Sequence, residues 1–211
     1  MEWLVVAMYV VIALIPSSSD AATQGSVSYL HGDGYASGDD TRNITRFDVL
    51  NLNQYGMIYG RADVLSGDDR NSNIVTRIIG HVGNGWHVAG QAQNQKGVSQ
   101  TNVGAGYGSF GKQQAWFVDL YKINSSYYGD GYSLFGYGSY KFTDKVKADG
   151  FIEYILPENG TMQPVLLAQP AIMYNVYGQL WVGVEQQRYF NKSGIRGLDE
   201  VVNQFKLKWE F

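Results

Sequence analysis

From residue 25 onward, apolar side chains recur at every second position, in segments about as long as a tilted strand needs to cross a bilayer. The last segment shows this most clearly: Phe205, Leu207, Trp209 and Phe211 alternate with Gln204, Lys206, Lys208 and Glu210. Leu180, Val182 and Val184 share one face in the same way, and Ile58, Ala62 and Val64 oppose Tyr59, Arg61 and Asp63. The alternation predicts twelve strands, over 25–31, 43–52, 57–65, 74–82, 86–94, 101–109, 115–123, 132–142, 146–155, 165–176, 179–190 and 200–211. More than half of the chain is then strand, which is out of range for an ordinary soluble domain and is what a membrane barrel requires.

The predicted connections fall into two kinds that alternate. Polar runs at 31–40, 66–73, 124–131, 157–160 and 191–197 follow odd-numbered strands. Tight turns at 53–56, 83–85, 111–112, 143–144 and 177–178 follow even-numbered ones. An even number of antiparallel strands with short turns on one side and longer loops on the other is the pattern of bacterial outer-membrane barrels, and a soluble sandwich has no reason to produce it. The terminal Phe211, with Trp209, Leu207 and Phe205 before it, resembles the signature by which such barrels are recognised for insertion. The expected fold is therefore all-β: one antiparallel transmembrane β-barrel of about twelve strands over 22–211, in the bacterial outer membrane.

Residues 3–15 form a separate apolar run, too short to span as a helix, followed by Ser17-Ser-Ser-Asp-Ala-Ala22. Ser19 and Ala21 suit the −3 and −1 positions of a signal-peptidase site, so residues 1–21 are expected to be a cleaved signal peptide, although no Lys or Arg precedes the run. The 16 bases of the whole chain nearly balance its 19 acids, which argues against a nucleic-acid partner. The absence of cysteine excludes a disulfide framework, a thiolate metal site and a cysteine nucleophile.

Charged side chains in mid-strand fix which face looks inward, because a base at mid-bilayer costs about 2–4 kcal/mol. The inward set has seven bases (Arg46, Arg61, Arg77, Lys141, Lys147, Lys206, Lys208) and seven acids (Asp48, Asp63, Asp119, Asp149, Glu153, Glu185, Glu210). A strongly ion-selective pore would carry one sign in excess, so the balance suits a neutral solute or a network of buried pairs. Tyr59, Phe117, Tyr121, Phe135, Tyr137, Phe151, Trp181 and Tyr189 share this face. Tyr59, Phe117, Tyr121 and Phe135 are candidates for stacking a flat solute, with Asp48, Arg61, Asp63, Asp119 and Glu185 hydrogen-bonding its edge. Twelve strands lie between the eight that side chains fill and the sixteen that leave an aqueous channel, so a narrow passage is expected.

Other motifs have plainer explanations. Gly106-Tyr-Gly108-Ser-Phe-Gly111 fits a dinucleotide pattern but runs into a tight turn and a strand, with no helix to hold a phosphate. His31, His81 and His87 lack metal-ligand spacing, and neither a cofactor nor a metal is expected. A lipid hydrolase would need Ser28, His31 and Asp33 together at one rim. The loop acids Asp33, Asp39, Asp40, Asp68 and Asp69 offer contacts to divalent cations or lipopolysaccharide.

Several of these residues also carry a family resemblance. Gln169-Pro170-Ala-Ile-Met-Tyr174, Leu180-Trp-Val-Gly183-Val-Glu185, Asn191-Lys-Ser-Gly194-Ile-Arg-Gly197 and the terminal Gln204–Phe211 resemble the nucleoside-specific channel family of outer-membrane proteins (Tsx-like, with the OmpK group). So do Phe47-Asp48, Tyr55-Gly56 and Arg61-Ala-Asp63-Val64, although the family's Glu is Asp48 here and its aromatic before the Tyr-Gly turn is Asn53. The resemblance implies a twelve-stranded barrel that lets nucleosides diffuse through a lumen of aromatic and ionisable groups. The competing expectation is a closed barrel acting as a surface-interaction protein or phage receptor.

Overall fold

A computed structural model of the chain describes residues 22–35, 41–53, 55–66, 72–95, 98–111, 113–158 and 160–211. The expected signal peptide and the loop acids Asp39, Asp40, Asp68 and Asp69 lie outside these residues. Twelve strands follow one another: β1 (Ala22–Asp33), β2 (Thr41–Asn53), β3 (Gly56–Ser66), β4 (Ser72–Gly83), β5 (Trp86–Gln95) and β6 (Val98–Phe110). The second half comprises β7 (Gln114–Ser125), β8 (Gly129–Lys141), β9 (Val146–Pro157), β10 (Val165–Tyr177), β11 (Leu180–Phe190) and β12 (Glu200–Glu210). Each pairs antiparallel with its neighbours in sequence, and β1 pairs with β12 to close the barrel.

All twelve predicted strands are present, but two connections differ from expectation. β5 and β6 are separated only by residues 96 and 97, and β7 and β8 only by residues 126–128, so the alternation of long and short connections fails twice. The polar run at 124–131 is mostly strand, because its polar groups pair with each other across the hairpin. Asn124 Nδ2 donates to Asp130 Oδ1 at 2.7 Å, and Ser125 Oγ accepts the backbone N–H groups of Tyr127 and Tyr128. Elsewhere the turn chemistry is as expected: Asn84 and Gly85 both take positive φ, as a two-residue turn between β4 and β5 requires.

The two faces of the wall differ as lipid and lumen demand. Outward positions expose Val103, Leu120, Ile172, Val184 and Phe205, whereas inward Leu30, Ile79 and Met173 are fully buried. Trp86, Tyr107 and Trp116 pack at steep angles to one another on the outside near the turn end, with ring centroids 5.4 and 5.9 Å apart, as part of an interfacial girdle. An apolar belt this continuous has no counterpart on a soluble domain, so the strands span a membrane. Leu120→Arg, which places a guanidinium at the middle of β7 on the lipid face, is expected to cost about 2–4 kcal/mol in urea unfolding from phospholipid vesicles. A loss under about 1 kcal/mol would mean that this face does not meet hydrocarbon.

On β6 the inward positions Gly104, Gly106 and Gly108 carry no side chain. A Cβ there would lie 2.0–2.4 Å from the β7 carbonyl oxygens of Leu120, Val118 and Trp116. This close approach of two strands accounts for the glycine spacing that mimics a dinucleotide motif.

Candidate functional site

The inward face of β2, β3, β11 and β12 carries a four-charge network. Arg46 donates from Nε to Asp63 Oδ1 at 2.8 Å and from Nη1 to both Glu185 oxygens at 3.1 Å, and Lys206 Nζ donates to Glu185 Oε2 at 2.8 Å. Arg46 pairs directly with Asp63 in register. To reach Glu185 it crosses β1, where its register partner is only Ser28. Arg46 and Glu185 are 2% and 3% exposed, so these charges neutralise one another without help from bulk water.

The second cluster lies nearer the turn end. Arg61 Nε donates to Asp48 Oδ1 at 2.9 Å, and the Tyr59 hydroxyl donates to the same oxygen at 2.7 Å. The Arg61 guanidinium carbon lies 5.6 Å from the Tyr59 ring centroid and 6.0 Å from that of Phe151. Phe151 belongs to β9, six strands from β3 in a ring of twelve, so this contact joins opposite walls.

An aromatic ladder forms the third cluster. Phe117 stacks on Phe110, Tyr137 and Phe135 at 5.6, 5.3 and 5.9 Å, and Phe135 stacks on Phe151 at 5.5 Å. The Arg77 guanidinium carbon sits 3.6 Å from the Phe135 centroid, and its Nε donates to Gln91 Oε1 at 3.1 Å. These rings pack on one another along the lumen wall.

A fourth group was only half visible in the sequence. Asp119 accepts the Tyr121 hydroxyl on Oδ2 at 2.7 Å, and its Oδ1 lies 2.5 Å from His87 Nε2. His87 reaches Asp119 across β6 because Gly106 stands between them; a Cβ at Gly106 would lie 2.6 Å from His87 Nε2. The inward parity of position 87 and the missing side chain at 106 were the only sequence signals. His87 Nδ1 is buried without a hydrogen-bond partner among the described residues.

The nine expected site residues all face inward, but they fall into separate groups. Asp48, Tyr59 and Arg61 meet, Asp63 and Glu185 meet through Arg46, Phe117 and Phe135 stack, and Asp119 joins Tyr121. Lys141 keeps its inward register but sits exposed at the turn end, bridging to Asp144 at 2.8 Å. That bridge holds the Asp144 carboxyl below the usual carboxylate range. Ser28 is fully buried on the inward face while His31 is exposed on the other, so the Ser28–His31–Asp33 grouping does not form.

At the loop end the lumen opens into a cavity of about 320 Å³, lined in part by Gln93, Gln100, Tyr128, Glu153, Leu167 and Tyr189. The Tyr127 hydroxyl, in the β7–β8 turn, donates to the carbonyl of Ser193 in the β11–β12 loop at 3.3 Å, linking connections on different sides of the mouth. Burial beside it pushes the Tyr128 phenol up to about 12.

No protein-family model matches the sequence, and no curated protein matches it. Solved structures match its fold. The NanC porin superposes with a TM-score of 0.62 at 11% identity, over 87% of this chain and 98% of that one. The KdgM porin in complex with disordered oligogalacturonate gives 0.57 at 10% identity, over 88% and 99%. An outer-membrane channel from Pseudomonas putida F1 gives 0.52 at 11% identity, over 94% and 100%. At these identities the likeness is one of architecture, and the chain has the closed antiparallel barrel of outer-membrane porins.

Proposed function

We propose that the chain is a passive channel of the bacterial outer membrane for small polar solutes, nucleosides among them, after removal of residues 1–21. The observation that carries this reading is the aromatic ladder flanked by the Arg61 and Arg77 guanidiniums, the first paired with Asp48. A nucleobase or sugar ring stacks on Tyr59, and its polar edge exchanges hydrogen bonds with Asp48 and Arg61, whereas Phe117, Tyr121, Phe135, Asp63, Asp119 and Glu185 are buried and shape the wall behind them. Such sites must remain shallow, since a tightly held solute would not leave. The resemblance to nucleoside-specific channels and the porin fold both support the reading, and the outer rim then contacts membrane lipid and lipopolysaccharide.

The test is uptake into liposomes of uridine, adenosine, arabinose and glycine through the refolded barrel. Nucleosides are expected to enter faster than the smaller arabinose; a ranking by size alone overturns the nucleoside assignment. A second reading, a closed barrel serving as a surface-interaction protein or phage receptor, is favoured by the Arg61–Phe151 contact across the lumen. Absence of both uptake and single-channel conductance from a folded barrel would establish it over the channel.

A further inference from the structure

The cavity at the loop end has a composition unlike the lumen beneath it. Glu153, Leu167 and Tyr189 stand side by side in register on β9, β10 and β11. Gln93 and Gln100 are register partners on β5 and β6, in the part of the wall that faces them. Glu153 is the one charged residue among the described residues lining the cavity, and it is 9% exposed. Ser133 Oγ donates to its Oε1 at 2.8 Å, and no salt bridge reaches it among the described residues. Two bases lie behind the lining, each held by a partner of its own. Arg77 is held by Gln91 over the Phe135 ring, next to Glu153 in register, and Lys192 Nζ, 5.3 Å from the Tyr189 ring centroid, bridges to Glu200 at 2.5 Å. The cavity therefore presents one carboxylate, neutral amides and phenols, and two flat rings, Tyr128 and Tyr189.

We infer that this vestibule is a binding site, separate from the aromatic ladder, for a small uncharged saccharide. A carboxylate with a free oxygen accepts hydrogen bonds from neighbouring ring hydroxyls, and glutamine amides both donate and accept around the rest of the ring. Tyr189 and Tyr128 supply faces for its C–H surface. A volume near 320 Å³ lies at the lower end of the range of about 300–1,000 Å³ for small-ligand sites, which suits one or two sugar rings. With this carboxylate as the charge among the described lining residues, acidic sugars are repelled, a discrimination by unfavourable charge. The inference rests on the channel reading for its purpose, since capture at the mouth matters most when the solute then descends, but binding itself is measured independently of transport.

The test is a saturation-transfer NMR titration of the full refolded barrel in lauryldimethylamine oxide micelles, which carry no sugar headgroup, with maltose, digalacturonate and choline as probes. Maltose is expected to bind and digalacturonate and choline are not. Glu153→Gln, which keeps the shape but removes the charge, is expected to weaken maltose binding at least about tenfold. Leu167→Trp, which fills the cavity from between Glu153 and Tyr189, is expected to abolish it without touching the carboxylate. Equal binding of maltose and digalacturonate, preferential binding of choline, or unchanged binding in both variants overturns the inference. Maltose binding without solute uptake upholds the vestibule site and overturns the channel, whereas nucleoside uptake without maltose binding does the reverse.

Discussion

Replacing Arg46 by methionine is expected to destabilise the barrel by about 3–5 kcal/mol, one of the two largest effects a single substitution here should produce. The guanidinium serves two carboxylates at once, Asp63 in direct register and Glu185 three strands away, and its side chain is almost wholly out of water. Methionine fills most of the space but leaves Asp63 without any salt bridge to a described residue, while Lys206 still covers Glu185. Arg46→Lys should recover only part of the loss, because one ammonium does not reproduce the forked contact to both partners. Adding Asp63→Asn to Arg46→Met should recover part as well, since the orphaned charge is then gone. Urea unfolding from phospholipid vesicles, followed by tryptophan fluorescence, measures all three. A loss below about 1 kcal/mol for Arg46→Met would show that water reaches these carboxylates and that the network is not what holds the walls in register.

Arg61→Ala is expected to raise single-channel conductance about threefold and to turn a lumen of balanced charge toward cations. Two features combine at this residue. Its guanidinium reaches the ring of Phe151 on the opposite wall, so removing it clears a contact that spans the lumen. Its charge also matches Asp48, and taking it away leaves one acid in surplus at that level. Phe151→Ala separates the two contributions, because it widens the same gap without altering the charge balance and should raise conductance with no change in ion preference. Unchanged conductance in both variants would place the barrier elsewhere in the lumen.

The face of each strand was legible in the sequence because lipid allows no compromise on it: a base such as Arg46 or Arg61 in mid-strand can only point inward. That logic placed all nine site residues on the lumen side, including Phe135, whose strand is apolar on both faces. The groupings within the lumen were not legible. Arg46 and Glu185 are 139 residues apart, and their meeting depends on the seam between β1 and β12 and on the small Ser28 beneath the guanidinium. Arg61 and Phe151 touch only because a ring of twelve puts their strands opposite one another. His87 looked like an isolated strand-end histidine, since nothing in its own segment reveals an aspartate two strands away seen through a glycine. The polar run at 124–131 read as a loop because Asn, Ser and Asp usually are one; here their side chains satisfy each other across a hairpin.

The closing seam has a consequence for how such a molecule can come into being. Consecutive strands can zip together as the chain is delivered, each new pairing needing only a short turn. The β1–β12 pairing is different: it joins Ser26 to Glu210, and until it forms the structure is an open sheet with two bare edges. Gly25 and Phe211 then exchange backbone hydrogen bonds of 2.9 Å in both directions. A Cβ on Gly25 would lie 2.4 Å from the Phe211 ring, so the terminal aromatic settles into a notch that only glycine leaves. Both sticky edges vanish in this one event. The closed form therefore hangs on this one pairing, and β1 and β12 act as the halves of a clasp.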